Sequence, residues 1–278
     1  MGKTILVTGP TSGIGAVSAR ELARLGATVY LACRDEAKAR PLVESIAAGG
    51  GKSHVLALDL GDLSSVRRCA ERFLATGDPL HVLVNNAGIA GMRGVTKDGF
   101  ELAFGTNHLG HFLLTALLFP RLRESAPARI VNVASTAHYR ARGIDFDLLR
   151  RKTRSLTGWP EYGVSKLCNV LFTRELERRL GHTGVHAYAV HPGVVGSDLW
   201  RRIPWPFAAL MKTGMKTNEE GARSTIHCAS SPEVESLGGR FFDEDCSERK
   251  PSRPARDDEL ARKLWEKSAE WCGTAPGD

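Results

Sequence analysis

Long apolar runs are missing from this 278-residue sequence. No window holds the roughly 18 uninterrupted apolar residues that a membrane-spanning helix needs. The first apolar run, Ile5-Leu6-Val7, gives way at once to Thr8 and Gly9, which is too short for a signal peptide. The six cysteines, Cys33, Cys69, Cys168, Cys228, Cys246 and Cys272, form no C-x-x-C pair. A zinc ribbon and a dithiol redox motif are thereby excluded, and the six read as reduced thiols. His108 and His111 stand three apart on an expected helix, but no third ligand follows at metal-site spacing. Both read as packing or surface histidines, and no metal is expected. Lys and Arg outnumber Asp and Glu by 38 to 31, a net +7 that weakly favours an anionic ligand. The densest basic stretch, Arg150-Arg151-Lys152 with Arg154, reads as a solvated loop, so nucleic acid is not an expected partner. Internal repeats and linkers are absent. A hydrophobic share of 42% excludes disorder as the dominant state. What is left is a soluble, unexported, cytoplasmic protein folding as a single domain over residues 1–278.

Strand and helix patterns alternate from the start. Strands are expected at Lys3–Thr8, Thr28–Cys33, Ser53–Leu58, His81–Asn85, Arg129–Ala134, Val185–His191 and, briefly, Gly239–Phe242. Helical patterns fill Ile14–Leu25, Glu36–Ala48, Asp62 to Leu74, Phe100–Leu118, Pro160–Leu180 and Asp257–Trp271. Strands apolar on both sides and separated by helices imply a parallel sheet covered on both faces. Right-handed crossovers make it doubly wound and Rossmann-like, an α/β fold that binds ligands at the carboxyl ends of its strands.

The first strand runs into Thr8-Gly9-Pro10-Thr11-Ser12-Gly13-Ile14-Gly15. Gly9 permits a tight turn, Gly13 lets a phosphate approach the backbone, and Gly15 allows close helix–strand packing. The helix behind them offers free N–H groups and a positive dipole end to a pyrophosphate. The spacing is G-x-x-x-G-x-G rather than G-x-G-x-x-G, and its place after the first strand favours a dinucleotide. Cys33-Arg34-Asp35 closes the second strand. Arg34 can pair with a 2′-phosphate through its planar fork, so NADP(H) is favoured over NAD(H). Asp35 is the competing feature, because a shift of one residue would offer a carboxylate to a free ribose. Lys38 is a second phosphate partner or a surface lysine.

Tyr162 and Lys166 lie four apart in an expected helix and share a face. An ammonium beside a phenol favours phenolate and lowers its pKa, which equips the tyrosine to exchange a proton with an alcohol or carbonyl.

With Thr8–Gly15, Tyr162 and Lys166 belong to a longer ordered set. It continues with Asp59 after the third strand, Asn85-Asn86-Ala87-Gly88 after the fourth and Asn107 in the long helix. Ser135 follows the fifth strand, then come Tyr162-Gly163-Val164-Ser165-Lys166 and Pro192-Gly193 after the sixth. On this set the chain resembles the short-chain dehydrogenase/reductase family across nearly its whole length. The segments Leu31–Asp35, Asn107–Phe112, Tyr162–Leu167 and His191–Val195, and the long gap between Ser135 and Tyr162, are similar to its retinol dehydrogenase-like branch. The resemblance implies an oxidoreductase that moves a hydride between a nicotinamide cofactor and a CH–OH or carbonyl group.

Residue by residue, the resemblance implies that Ser135 binds the substrate carbonyl and that Tyr162 is the general acid or base. Lys166 would lower the tyrosine pKa and hold the nicotinamide ribose, and Asn107 would support a proton-relaying water chain. Gly9, Thr11, Ser12, Gly13, Ile14 and Gly15 would cradle the cofactor, with Arg34 at its adenosine end. Asp59 and Leu60 would contact the adenine, and Asn86, Ala87 and Gly88 the groove. Pro192, Gly193 and Val195 would pass over the nicotinamide, and Ser197 would hold its carboxamide. Ser197 stands where the family often has threonine, and Pro10 where it often has alanine. Met1 directly precedes the first strand, whereas many members of the branch carry a membrane anchor there. No stable anchor is expected, and a retinoid is one substrate among several.

Residues 197–230 are expected to insert as a substrate lid. Trp200, Trp205 and Phe207 would line one wall of an apolar pocket, and Tyr139, His138 and Trp159 the other. The same aromatics, beside Arg201, Arg202 and Lys212, could instead touch an anionic membrane surface or complete the core. The leading reading is an NADP(H)-dependent reductase of a bulky apolar carbonyl such as a retinoid, steroid or lipid aldehyde, or the reverse reaction. The alternative is a cofactor-binding sensor without turnover. Leu167, Val170 and Leu171 could line an interface between copies of the chain or pack in its core.

Overall fold

The computed structural model describes residues 2–195 and 216–274. Its strands are Thr4–Thr8 (β1), Thr28–Cys33 (β2), Lys52–Ala57 (β3), Val82–Asn85 (β4), Ala128–Val133 (β5), Val185–Val190 (β6) and Phe241–Phe242 (β7). They form one sheet in the order β3-β2-β1-β4-β5-β6-β7, parallel throughout. The central strands β1, β4 and β5 are buried along their whole length. Their side chains alternate across the sheet. Leu6, Leu83 and Ile130 enter one apolar layer, and Ile5, Val7, Val82, Val84 and Val131 enter the other.

The helices are Gly13–Arg24 (α1), Arg40–Ala48 (α2), Leu63–Leu74 (α3), Leu102–Phe104 (α4), Gly110–Glu124 (α5), Trp159–Leu180 (α6), Asn218–Ser230 (α7) and Asp258–Cys272 (α8). Helices α1, α2 and α7 cover one face through Leu22, Ile46 and Cys228. Helices α3, α5, α6 and α8 cover the other through Phe73, Leu113, Leu171 and Trp265. The result is the expected doubly wound α/β architecture. The strand order reverses between β1 and β4, so their carboxyl ends open a crevice where such folds take ligands.

Most expected elements are present with ends moved by a residue or two. The expected Phe100–Leu118 helix is a composite: α4, a π turn at Gly105–Leu109, then α5. The stretch Leu102–Glu124 is long and apolar enough to cross a membrane, yet 72% of its apolar window is buried inside the fold. Helix α7 was not expected as such. It falls at the end of the 197–230 segment assigned to a lid, and it packs against α1. Residues 196–215, with Ser197, Trp200, Trp205 and Phe207, lie outside the described residues. Leu167, Val170 and Leu171 are buried within the chain itself, as core residues. All six cysteines are unpaired, and all but Cys246 are buried.

Candidate active site

The Gly-rich turn joins β1 to α1 and is built for close approach. Gly9 and Gly13 both have φ in the left-handed region, at 64° and 56°. A Cβ at Gly9 would lie 2.8 Å from Ala87 Cβ. One at Gly15 would lie 2.4 Å from both Asn86 Nδ2 and Gly9 O, so only glycine lets the turn meet the end of β4. Ser12 stands at the helix start in extended conformation and makes no side-chain cap. The first N–H groups of α1 therefore face outward with no acidic residue in the first turn, as an anion site requires. Ile14 meets Val195 and the Pro192 carbonyl around Gly221, whose Cβ would sit 2.4 Å from Val195 Cγ2. The turn and the expected nicotinamide-side residues thus share one groove. Gly193 has φ 80° and lies against Glu244, which pairs with Lys216 at 2.9 Å.

The adenosine end is set by Arg34, Asp35 and Asp59. The Asp35 carboxylate is committed: Oδ1 accepts from the N–H groups of Ala37 and Lys38 at 3.1 and 3.3 Å, and Lys38 Nζ lies 3.5 Å from Oδ2. It caps the turn Glu36–Ala39 rather than reaching over the groove. Arg34 is exposed and makes no ion pair among the described residues. Asp59 Oδ1 accepts from Gly61 N at 2.9 Å, and Leu60 is buried against Gly110, where a Cβ would strike the Leu60 carbonyl.

The catalytic candidates converge from three elements. Ser135 follows β5, and its Oγ accepts from Ala137 N at 3.1 Å. Its hydroxyl proton stays available, and the Ser135 hydroxyl acts on the Tyr162 phenol, favouring its ionised form. Lys166 is one turn along α6 from Tyr162. Its Nζ donates to the Val133 carbonyl at 2.8 Å and lies 5.7 Å from the Tyr162 ring centroid. Asn107, in the π turn, is fully buried. Its Oδ1 accepts from Ile89 N at 2.8 Å, and its Nδ2 donates to Ile89 O and Ser165 Oγ, both at 2.9 Å. Ser165 passes the chain on to the Tyr162 carbonyl at 2.8 Å. Gly88 lies over this group, with a Cβ position 3.4 Å from Asn107 Oδ1 and 3.5 Å from Lys166 Nζ.

Burial dominates the electrostatics of the pair. Burial pushes the Tyr162 phenol above its ordinary pKa, and only the Ser135 hydrogen bond pulls the other way. The lysine beside it is desolvated too: burial brings its ammonium down to about 8. Both groups are pressed toward their neutral forms.

Sequence reasoning did not assign three residues their supporting roles. Thr8 Oγ1 accepts from Asn86 N and Ala87 N at 3.0 Å each, which holds the two expected groove residues. Ser165 links Asn107 to α6. His138 Nδ1 donates to the Ser135 carbonyl at 2.6 Å, and its Nε2 accepts from Ser252 N at 3.1 Å. Thr8 and Ser165 stand inside motifs already noted, and His138, expected on a pocket wall, is instead fully buried as a support beneath Ser135. Of the expected pocket walls, Trp159 stands edge-on to Tyr162 with ring centroids 5.5 Å apart. Tyr139 instead donates to the Lys250 carbonyl at 2.6 Å beneath the Arg249 guanidinium. His108 and His111 point to different partners, Ser268 and Thr8.

The short chain dehydrogenase family model matches residues 3–144. Retinol dehydrogenase 12 of Mus musculus is 47% identical over 98% of this chain and 87% of its own length. The chain belongs to the short-chain dehydrogenase family. Within it, the similarity runs to the retinol dehydrogenase-like branch. A crystal structure of an uncharacterized protein from Mycobacterium paratuberculosis is 40% identical and superposes with a TM-score of 0.78, covering 98% of this chain and 94% of that one. A short chain dehydrogenase from Burkholderia cenocepacia, solved in complex with NADP, is 27% identical with a TM-score of 0.72 over 87% and 96% of the two chains. A nicotinamide cofactor fits the groove of this dehydrogenase. The glycine cradle leaves room where any Cβ would collide, the start of α1 is open to phosphate, and Lys166 Nζ has protons to donate beyond its bond to Val133.

Proposed function

We propose that this dehydrogenase reduces a bulky apolar aldehyde or ketone, such as a retinoid, steroid or lipid aldehyde, with NADPH. The observation that carries this reading is the Ser135–Tyr162–Lys166 cluster at the carboxyl end of β5 and the start of α6. Two hydroxyls there can aim at one substrate oxygen, which suits the charge that develops when a carbonyl is reduced. The cofactor supplies the hydride when bound. Ser135 donates a hydrogen bond to the carbonyl oxygen, and Tyr162 Oη delivers the proton that completes the alcohol. Burial keeps that phenol protonated, which suits reduction; oxidation of an alcohol would need it as phenolate. Lys166 keeps a positive charge beside the tyrosine as it gives up its proton. Asn107, with its amide committed to Ile89 and Ser165, positions α6 against the groove.

The NADPH preference rests on Arg34 and Asp35 together. An exposed guanidinium without a carboxylate partner can take a 2′-phosphate through paired N–H groups. The nearby carboxylate that could have bound a ribose is used as a cap. The apolar substrate class is supported by Trp159 beside Tyr162 and by the similarity to retinol dehydrogenases.

The test is NADPH oxidation, with NADH in parallel, against retinal, steroid ketones, aromatic aldehydes and lipid-derived aldehydes. Turnover faster with NADPH is expected. An NADH preference would overturn the role of Arg34. Tight cofactor binding with no turnover on any class would favour a sensor.

A further inference from the structure

Behind the catalytic group, a buried hydrogen-bond chain joins α5 to the Gly-rich turn across 103 residues of sequence. His111 Nδ1 lies 3.0 Å from the Asn107 carbonyl, and its Nε2 lies 2.8 Å from Thr8 Oγ1. A carbonyl can only accept, so Nδ1 carries a proton and donates. The ring is buried and neutral: desolvation brings it down to about 4, the bond to Asn107 opposes this, and the charge of Lys166 adds to it. The charged group that acts on the ring is Lys166, while His108, one turn back, is itself held neutral by burial. Nε2 must therefore accept, and the Thr8 hydroxyl must donate to it. The competing acceptor, the Val84 carbonyl, is farther from that hydroxyl at 3.4 Å. With its proton so placed, Thr8 Oγ1 has both lone pairs free for the N–H groups of Asn86 and Ala87. Every bond in the chain then has one direction, running from the Asn86 and Ala87 amides through Thr8 and His111 to Asn107.

We propose that His111 is a positioning residue whose Nδ1–H tautomer locks the cofactor groove at Thr8, Asn86 and Ala87 to the catalytic turn at Asn107. The proposal deepens the reading above and rests on it for the cofactor, though not for the tautomer. A ring in the other tautomer would put Nε2–H against Thr8 and leave a lone pair facing the Asn107 carbonyl. The groove and the π turn would then no longer share one register.

The test has two arms. Long-range proton–nitrogen NMR of the ¹⁵N-labelled chain reads the His111 ring directly. Nδ1 protonated and Nε2 bare, unchanged between pH 8 and 5.5, is the expected result; an Nε2–H tautomer, or titration within that range, overturns the proposal. The second arm measures NADPH affinity and Tm for His111→Phe, Thr8→Val and the double variant. Each single change is expected to weaken NADPH binding by about tenfold, the scale of one broken buried hydrogen bond. The double variant should be no worse than the weaker single, because both changes cut the same chain. A fall in Tm with unchanged NADPH affinity would mean a purely structural histidine, and additive losses would mean two unconnected effects; either overturns the proposal. If the wild-type chain binds neither NADPH nor NADH, the functional reading fails while the tautomer result still decides the chain's direction.

Discussion

Lys166 donates through Nζ to the Val133 carbonyl at 2.8 Å, and this bond ties α6 to the end of β5. The lysine is buried, and among the described residues it has no carboxylate partner. Holding an ammonium there costs stability. Its pKa falls from 10.5 to about 8, which corresponds to about 3 kcal/mol at neutral pH. Lys166→Met should therefore leave the Tm at pH 7 unchanged or raise it, since Asn169 Nδ2 still serves the Val133 carbonyl at 3.2 Å. Turnover should fall by at least about 100-fold, as expected when a general acid loses its charged neighbour. Thermal denaturation and steady-state rates on the same preparation check both.

The same shift fixes a pH dependence of stability. Between about pH 8 and the unfolded value near 10.4, the unfolded chain binds a proton that the folded chain does not. Wild-type stability relative to Lys166→Met should rise with pH across that window and stay level below it. Urea denaturation of both chains from pH 7 to 10 reads the difference. For catalysis the sign reverses: carbonyl reduction should lose rate as Lys166 gives up its proton, so kcat should decline above about pH 8.

At the adenosine end, Arg34→Gln should cut the preference for NADPH over NADH by about 10- to 100-fold, the worth of a charge-assisted pair with a phosphate. Asp35→Ala should leave that preference unchanged. It should instead destabilise the chain by about 1 kcal/mol, because it removes the cap on Ala37 and Lys38. The ratio of kcat/KM for the two cofactors, measured on both variants, separates the two roles.

Gly15→Ala tests the cradle. In an ordinary helix this change is favourable. Here the added methyl would meet the Gly9 carbonyl at 2.4 Å, and backbone cannot yield as a side chain end can. A loss of about 1–3 kcal/mol, typical of overpacking, is expected together with weaker cofactor binding.

The sheet could be read from the sequence because its central strands are short apolar runs bounded by turn residues. Asp62 marked the start of α3 and does accept from Ser64 N and Ser65 N. Helix α7 escaped for a physical reason. Its buried face is Gly221, Ala222, Ser224, Thr225, Cys228 and Ala229, small residues that pack closely on α1 without an apolar period. The signal available was Thr217 with Glu220, which form a capping box. The candidate tetrad was legible as motifs, whereas its electrostatics were not. Spacing shows that Lys166 is near Tyr162, but only the fold shows that both groups are buried. His111 and His138 were invisible as supports, because their partners Thr8 and Ser252 lie 103 and 114 residues away.

The central claim is that Tyr162 delivers the proton. The most direct measurement sets wild type beside Tyr162→Phe, with NADPH affinity and carbonyl turnover determined on each. The phenyl ring keeps the packing against Trp159, so NADPH affinity should stay within about twofold while turnover falls by about 100-fold or more, the scale of a lost general acid. Turnover preserved in Tyr162→Phe would contradict the assignment and place the proton source elsewhere.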